Sequence, residues 1–174
     1  MATFKELLSE QIGHEFAASQ QYVAIAVWYD GQDLPQLARH FYEQAVEERN
    51  HAMMLVRYQL DRDLPTSIPG VSQPIVDFAD HKAPIELALR QEKQVTAQIE
   101  ALFAAARAEG DALGEQFMLW FLKEQVEEVA SMNTLLTIAE RTNNLFDIEN
   151  FVARETVGDN GHDASAPTAA GGAL

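Results

Sequence analysis

Apolar residues recur at alternating intervals of four and three along four long stretches of the chain. In the first, Leu8, Ile12, Tyr22 and Ala26 keep this spacing, with Glu15 and Ser19 occupying seam positions between them. Residues three and four apart share one helix face, so the pattern predicts a helix over 4–29. Thr3 and Glu6 form its capping-box signature and Asp30-Gly31 its stop. The second seam, Leu37, Phe41, Ala45, Glu48, Ala52 and Leu55, predicts a helix over about 35–62, with Asp33 and Gln36 as the start signal and Pro35 in the first turn. The link between the two is so short that they must fold back antiparallel.

The third seam is Ile85, Leu89, Glu92, Val95, Ile99, Leu102 and Ala106, opened by Pro84 and closed by Gly110. The fourth, Phe117, Phe121, Gln125, Glu128, Met132, Leu135 and Ala139, starts behind Asp111 and ends near Thr142-Asn143. Between the second and third helices, 63–83 carries Pro65, Pro69, Gly70 and Pro74 and no helical pattern. A bundle hairpin needs only about two to eight residues. At about 3.3 Å per residue this longer link can travel the length of a helix, setting the third helix parallel to the second. Asn144 and Asp147 can cap a short fifth helix from Leu145 to about Glu155, exposing Phe146, Ile148, Phe151 and Val152 if it leaves the bundle. The small and polar residues of 157–174 predict a disordered tail. The expected fold is all-α: residues 1–156 as a four-helix bundle with a long crossover and a short fifth helix.

Each of the four seams carries one glutamate: Glu15, Glu48, Glu92 and Glu128. By position the four lie at matched height, Glu15 and Glu48 about equally far from the first turn and Glu92 and Glu128 flanking the last. A buried ionised carboxylate costs several kcal/mol unless a cation, a proton or a metal offsets it. No lysine or arginine lies on the seams, and His51 stands three residues after Glu48. A single seam glutamate usually reaches past the core edge or pairs with a base. Four at one level beside a histidine instead point to a carboxylate-bridged pair of metal ions, iron or manganese by ligand type. The chain has no cysteine, which removes disulfides, thiolate zinc and iron–sulfur clusters.

Glu47, Glu124 and Glu127 stand one position off the seam and form either a third, weaker cation site or a solvated helix face. Tyr22, two turns beyond Glu15, is either a core tyrosine or a hydroxyl directed at the site. Met53, Met54, Trp28 and Trp120 read as core, and His14, His40, His81 and His162 as surface or loop residues. Asp111 and Glu115 could line a pore, though acids at a helix N-terminus need no special reason.

Charge narrows the partners. Twelve basic against 27 acidic residues give a net charge of -15, and the pI is about 4.5. This disfavours nucleic acid and anionic membranes and favours cations. A hydrophobic share of 47% supports a sizeable core, and the first twenty residues contain no uninterrupted apolar run, so neither a secretory signal nor a membrane helix is expected and the cytoplasm is the default location.

Glu15 with Tyr22, Glu48-x-x-His51, Glu92 and Gln125-x-x-Glu128 on helices of these lengths resemble the non-haem bacterial ferritins over roughly 4–155. The resemblance implies one iron site from Glu15, Glu48 and His51 and a second from Glu48, Glu92 and Glu128, with Glu48 bridging and Gln125 an outer helper. It also matches Glu47, Glu124 and Glu127, with Glu128, to a third site, and Tyr22 to the family's neighbouring tyrosine. It implies a 24-subunit shell that oxidises iron(II) with O2 or H2O2 and stores iron(III) mineral. Bacterioferritins carry a second Glu-x-x-His, where this chain has Ser131, and a haem-ligating methionine, where it has Arg49 and Asn50, so haem is not expected. The tail resembles the extensions of actinobacterial ferritins, and docking into a larger shell is one role open to it. Other di-metal enzymes, such as a manganese catalase or an oxygenase, and a non-catalytic helical assembly or cargo protein are the alternatives. The charge and the lack of a basic arm disfavour a DNA-binding mini-ferritin, and the lack of Cys-x-x-Cys excludes a rubrerythrin.

Overall fold

A computed structural model gives the fold and describes residues 2–154 and 163–174. Its helices are α1 (Phe4–Asp30), α2 (Pro35–Asp61), α3 (Ala83–Glu109), α4 (Ala112–Arg141) and α5 (Leu145–Arg154), and no strand occurs among the described residues. The Thr3–Glu6 capping box forms as expected. Gly110 closes α3 at φ 72°, a left-handed conformation that a side chain would strain, and Asp111 accepts from the Gly114 N–H to start α4. Asp111 also pairs with Arg62, and Glu115 with Arg107. Both acids proposed for a pore are thus engaged in local ion pairs.

The start of α2 differs from expectation. Asp33 sits at φ 57° and does not cap the helix, and Leu34 takes the N-cap position without a side-chain hydrogen bond. The free N–H groups of Gln36 and Leu37 donate instead to the carboxylate of Glu149 on α5, both at 2.9 Å. An anion at a helix N-terminus satisfies orphan donors and complements the helix dipole. Replacing Glu149 by alanine should cost about 1 kcal/mol there, read as roughly fivefold faster amide exchange at Gln36 and Leu37 with the bundle core unchanged. This clasp also turns α5 inward. Ile148 is fully buried and Phe151 and Val152 half-buried, so of the four apolar residues expected to be exposed only Phe146 is.

The crossover runs along the outside of α1. Pro69 lies against Gly13, where an added Cβ would come within 2.9 Å of the proline ring. Further on, Gln21 exchanges two hydrogen bonds with the backbone of Ile75, and the Tyr29 hydroxyl donates to the His81 carbonyl at 2.6 Å. The contacts advance along both segments in the same direction. The crossover therefore returns the chain to the end where α2 begins, and α3 runs parallel to α2. At the other end Glu109 of α3 accepts from the Phe4 N–H at 2.7 Å, as antiparallel α1 and α3 require.

The seams point inward as read, with Ser19 and Phe117 half-buried and the other seam positions buried. The apolar core is nevertheless split. One cluster gathers around Tyr29, Phe41, Leu135 and Ile148, the other around Leu8, Leu55, Ile99 and Phe121. Between them lies a layer of buried polar side chains. No helix among the described residues is long and apolar enough to cross a membrane.

Candidate metal centre

The intervening layer holds Glu15, Glu48, Glu92 and Glu128, each 1–2% exposed, together with His51 and Gln125. Each arrives from a different helix because each occupies a seam position at the same level. Donor atoms of Glu15, Glu48 and His51 lie within 4.8 Å of one another. Ligand atoms about 2.0–2.2 Å from one ion stand at most about 4.4 Å apart, so closure requires only small side-chain adjustments. His51 Nδ1 is 3.6 Å from Glu48 Oε2.

The carboxylates differ in how they are held. Gln11 donates to Glu15 Oε1 at 2.8 Å, and the Tyr22 hydroxyl donates to Glu92 Oε1. Gln125 Nε2 lies 3.5 Å from Glu92 Oε2, and Thr96 donates to the Gln125 carbonyl oxygen at 2.9 Å, which fixes the amide's orientation. By contrast Glu15 Oε2, Glu128 Oε2 and both oxygens of Glu48 are buried without a hydrogen-bond partner. Buried polar atoms are nearly always satisfied, so four orphaned carboxylate oxygens in one layer fit a cation site.

Electrostatics make the same point. Burial, then the charges of Glu92 and Glu15, a hydrogen bond shared with Glu15 when one of the two is protonated, and the charge of Glu47 push Glu48 well above the usual carboxylate range. Glu128 rises likewise, through burial and then Glu47, Glu92 and Glu48. Glu92 is raised to about 7, chiefly by burial, with the Tyr22 hydrogen bond pulling the other way. Tyr22 is itself raised by burial and by Glu92. Without a metal the layer must therefore hold protons, since like charges at this depth cannot all ionise.

A second group departs from the expected set. Glu47, His51 and Glu124 bring donor atoms within 4.8 Å of one another. Gln44 orients Glu47 by a 2.7 Å hydrogen bond. Glu127, read as the third member, is instead exposed and 3.8 Å from Lys123. A helix turns about 100° per residue, so Glu127 rotates away from the face that Glu124 shares with the bundle. Glu47, His51 and Glu124 lie on the wall of a groove of about 1070 Å³, with Glu15, Glu92 and Glu128 beyond its lining. His51 thus belongs to both groups.

The groove's opposite wall is the tail. Residues 157–162 of the expected disordered segment lie outside the described residues, but 163–174 is laid against α2 and α4. Ala169 is buried at 5% exposure, the Ala170 N–H donates to the Met53 carbonyl at 3.0 Å, and Asp163 accepts from Trp120 at 3.0 Å. Small side chains let backbone approach helix closely, so the composition that predicts disorder also permits docking. His40 is a further correction: it is 3% exposed, edge-on to Phe41, rather than at the surface. His162 lies outside the described residues. Gln11, Gln44 and Thr96 escape the seam pattern, but each stands three or four residues from a seam or site glutamate, a spacing that could have revealed them.

A ferritin-like domain model matches residues 5–142. The chain is 61% identical over 172 residues to Ferritin BfrB of Mycolicibacterium smegmatis, covering 98% of this chain and 94% of that protein. It is 35% identical over 136 residues to a bacterial non-heme ferritin of Staphylococcus aureus, covering 78% and 82%. Among solved structures, an open pore ferritin from the archaeon Archaeoglobus fulgidus superposes with a TM-score of 0.82 at 26% identity, covering 87% of this chain and 95% of that one.

Proposed function

We propose that this chain, which belongs to the ferritin family, oxidises iron(II) at the carboxylate layer and stores the iron(III) product as mineral inside a shell of its own copies. The observation that carries this reading is the set of orphaned oxygens on Glu15, Glu48 and Glu128, on seams with no neutralising lysine or arginine. Glu15, Glu48 and His51 hold one iron(II) ion, and Glu48, Glu92 and Glu128 the other. Two ions each give one electron: with dioxygen, two iron(II), one O2 and two protons yield two iron(III) and H2O2. With H2O2 as oxidant, the same two electrons and two protons yield two waters. Anionic oxygen ligands favour the iron(III) product.

The chain's own residues prepare this step. Tyr22 and Gln125 hold the Glu92 carboxylate between them, and Gln11 holds Glu15 by one oxygen and leaves the other bare for substrate. Iron(II) displaces the protons that the layer otherwise carries. Glu47, His51 and Glu124 form a weaker station facing the groove, and His51 is the ligand that the two stations share. Shell formation is supported by the exposed apolar residues Val23 and Val27 on α1, Ile75 and Val76 on the crossover and Phe146 on α5. In an assembly of twenty-four the acidic surface, -15 per chain, would concentrate iron(II). The cytoplasm is the proposed location.

The test is an anaerobic iron(II) titration of the purified shell followed by oxygen admission, with iron(III) absorbance and particle size recorded together. Saturable binding, rapid oxidation and soluble iron-loaded particles are expected. Oxidation at the buffer rate with no bound iron would leave a non-catalytic assembly protein as the reading.

A further inference from the structure

We infer that Asp163, on the tail, is a positioning residue for His51 and acts through the indole of Trp120, an inference that rests on the iron(II) reading above. His51 stands in a corner of two aromatic rings. The Trp120 ring meets it edge-on at 5.6 Å and 74°, and the Phe121 ring at 5.8 Å and 71°. These two rings set the plane of the imidazole, and Trp120 is itself set by its one polar atom. Its N–H donates to Asp163 Oδ2 at 3.0 Å.

Asp163 is fixed from every side. The same Oδ2 accepts from Lys123 at 3.3 Å, and Oδ1 accepts from the Ser165 N–H at 2.7 Å and its hydroxyl at 2.6 Å. These donors hold its carboxyl well below the usual range, so it remains an anionic acceptor. The rest of the tail grips α2 at the turn that bears His51. Asn50, one residue before it, exchanges hydrogen bonds with the backbone of Leu174, and Met53, two after it, accepts from the Ala170 N–H. The tail thus fixes both the helix turn that carries the imidazole and the indole that orients it. Loss of an outer partner of a metal ligand costs about 10–100-fold in metal affinity.

The test uses cobalt(II) as probe in the full-length shell, in a Trp28→Phe background so that Trp120 is the single tryptophan and is excited selectively at the red edge of the absorption. Asp163→Ala should leave helix content and shell size intact, make Trp120 more accessible to quencher, weaken cobalt(II) binding about tenfold and alter the bound ion's visible spectrum. Asp163→Asn keeps an acceptor oxygen and should restore affinity and spectrum. Trp120→Phe, which keeps a ring but loses the N–H, should match Asp163→Ala, and the double variant should be no worse than either. Parent-like affinity and spectrum in Asp163→Ala would overturn the inference, as would an Asp163→Asn variant as weak as the alanine one. A parent protein that binds no cobalt(II) would instead remove the metal reading beneath it. Should Asp163→Ala fail to assemble, Trp120→Phe alone decides.

Discussion

Replacing Glu48 by alanine or glutamine should slow iron(II) oxidation by about a hundredfold or more. Outer partners of a ligand already cost up to about a hundredfold in metal affinity, and Glu48 is the one residue assigned to both iron sites. The glutamine substitution should also stabilise the metal-free protein. Both Glu48 oxygens are buried without a partner, and the side chain is 1% exposed among three other carboxylates. Glutamine keeps the volume, removes the titratable group and brings an N–H2 that neighbouring orphaned oxygens can accept from. A gain of about 1–2 kcal/mol, or roughly 2–8 °C in Tm, is expected for Glu48→Gln. Stopped-flow oxidation and calorimetry on the same preparations check both halves. A variant that lost activity and stability together, with a smaller particle, would show Glu48 to be structural.

The second large effect is a pH dependence that metal removes. Glu92 has a folded-state pKa of about 7 against an ordinary 4.5, and Glu48 and Glu128 are also raised. A raised carboxylate pKa means that the folded state holds the proton where the unfolded chain has released it. Stability of the metal-free protein is therefore fully present below about pH 4.5 and falls as pH rises towards about 7, by roughly 3 kcal/mol from Glu92 alone. Above that, Glu92 adds no further slope. A bound divalent ion displaces the same protons, so its affinity should rise through this window, and the metal-loaded protein, whose carboxylates are ionised both folded and unfolded above about pH 4.5, should hold its stability where the metal-free one loses it. Thermal melts at pH 5 and 8 should show a Tm that falls between the two without metal and stays nearly level with saturating cobalt(II). Parallel curves would mean that the layer does not bind the ion.

Periodicity alone carried most of this centre. Glu15, Glu48, Glu92, Gln125 and Glu128 are buried at one level because a 4-3 spacing maps residue number onto a helix face, and equal distances from a turn map onto equal height. The antiparallel pairs and the parallel second and third helices followed from link length. His51 was legible for the same reason, three residues from Glu48.

What the chain pattern could not carry was any contact set by sequence-distant backbone. Asp33 looks like a helix cap, but Glu149 from α5 takes the role, because the carboxylate that reaches the free N–H groups is decided by how the end of the bundle closes. Glu127 looks like a companion of Glu124, yet only Glu124 turns inward, a matter of rotation about an axis whose facing partner must be known. The tail from Asp163 has the composition of an unfolded segment, and it docks because α2 presents a Met53 carbonyl and an Asn50 amide to it and α4 a Trp120 N–H. Sequence determined the four helices, their faces and the charge that those faces bury. Tertiary structure decided which carboxylates touch, which oxygens remain bare and what holds the histidine, since those depend on distances between residues that no local spacing encodes.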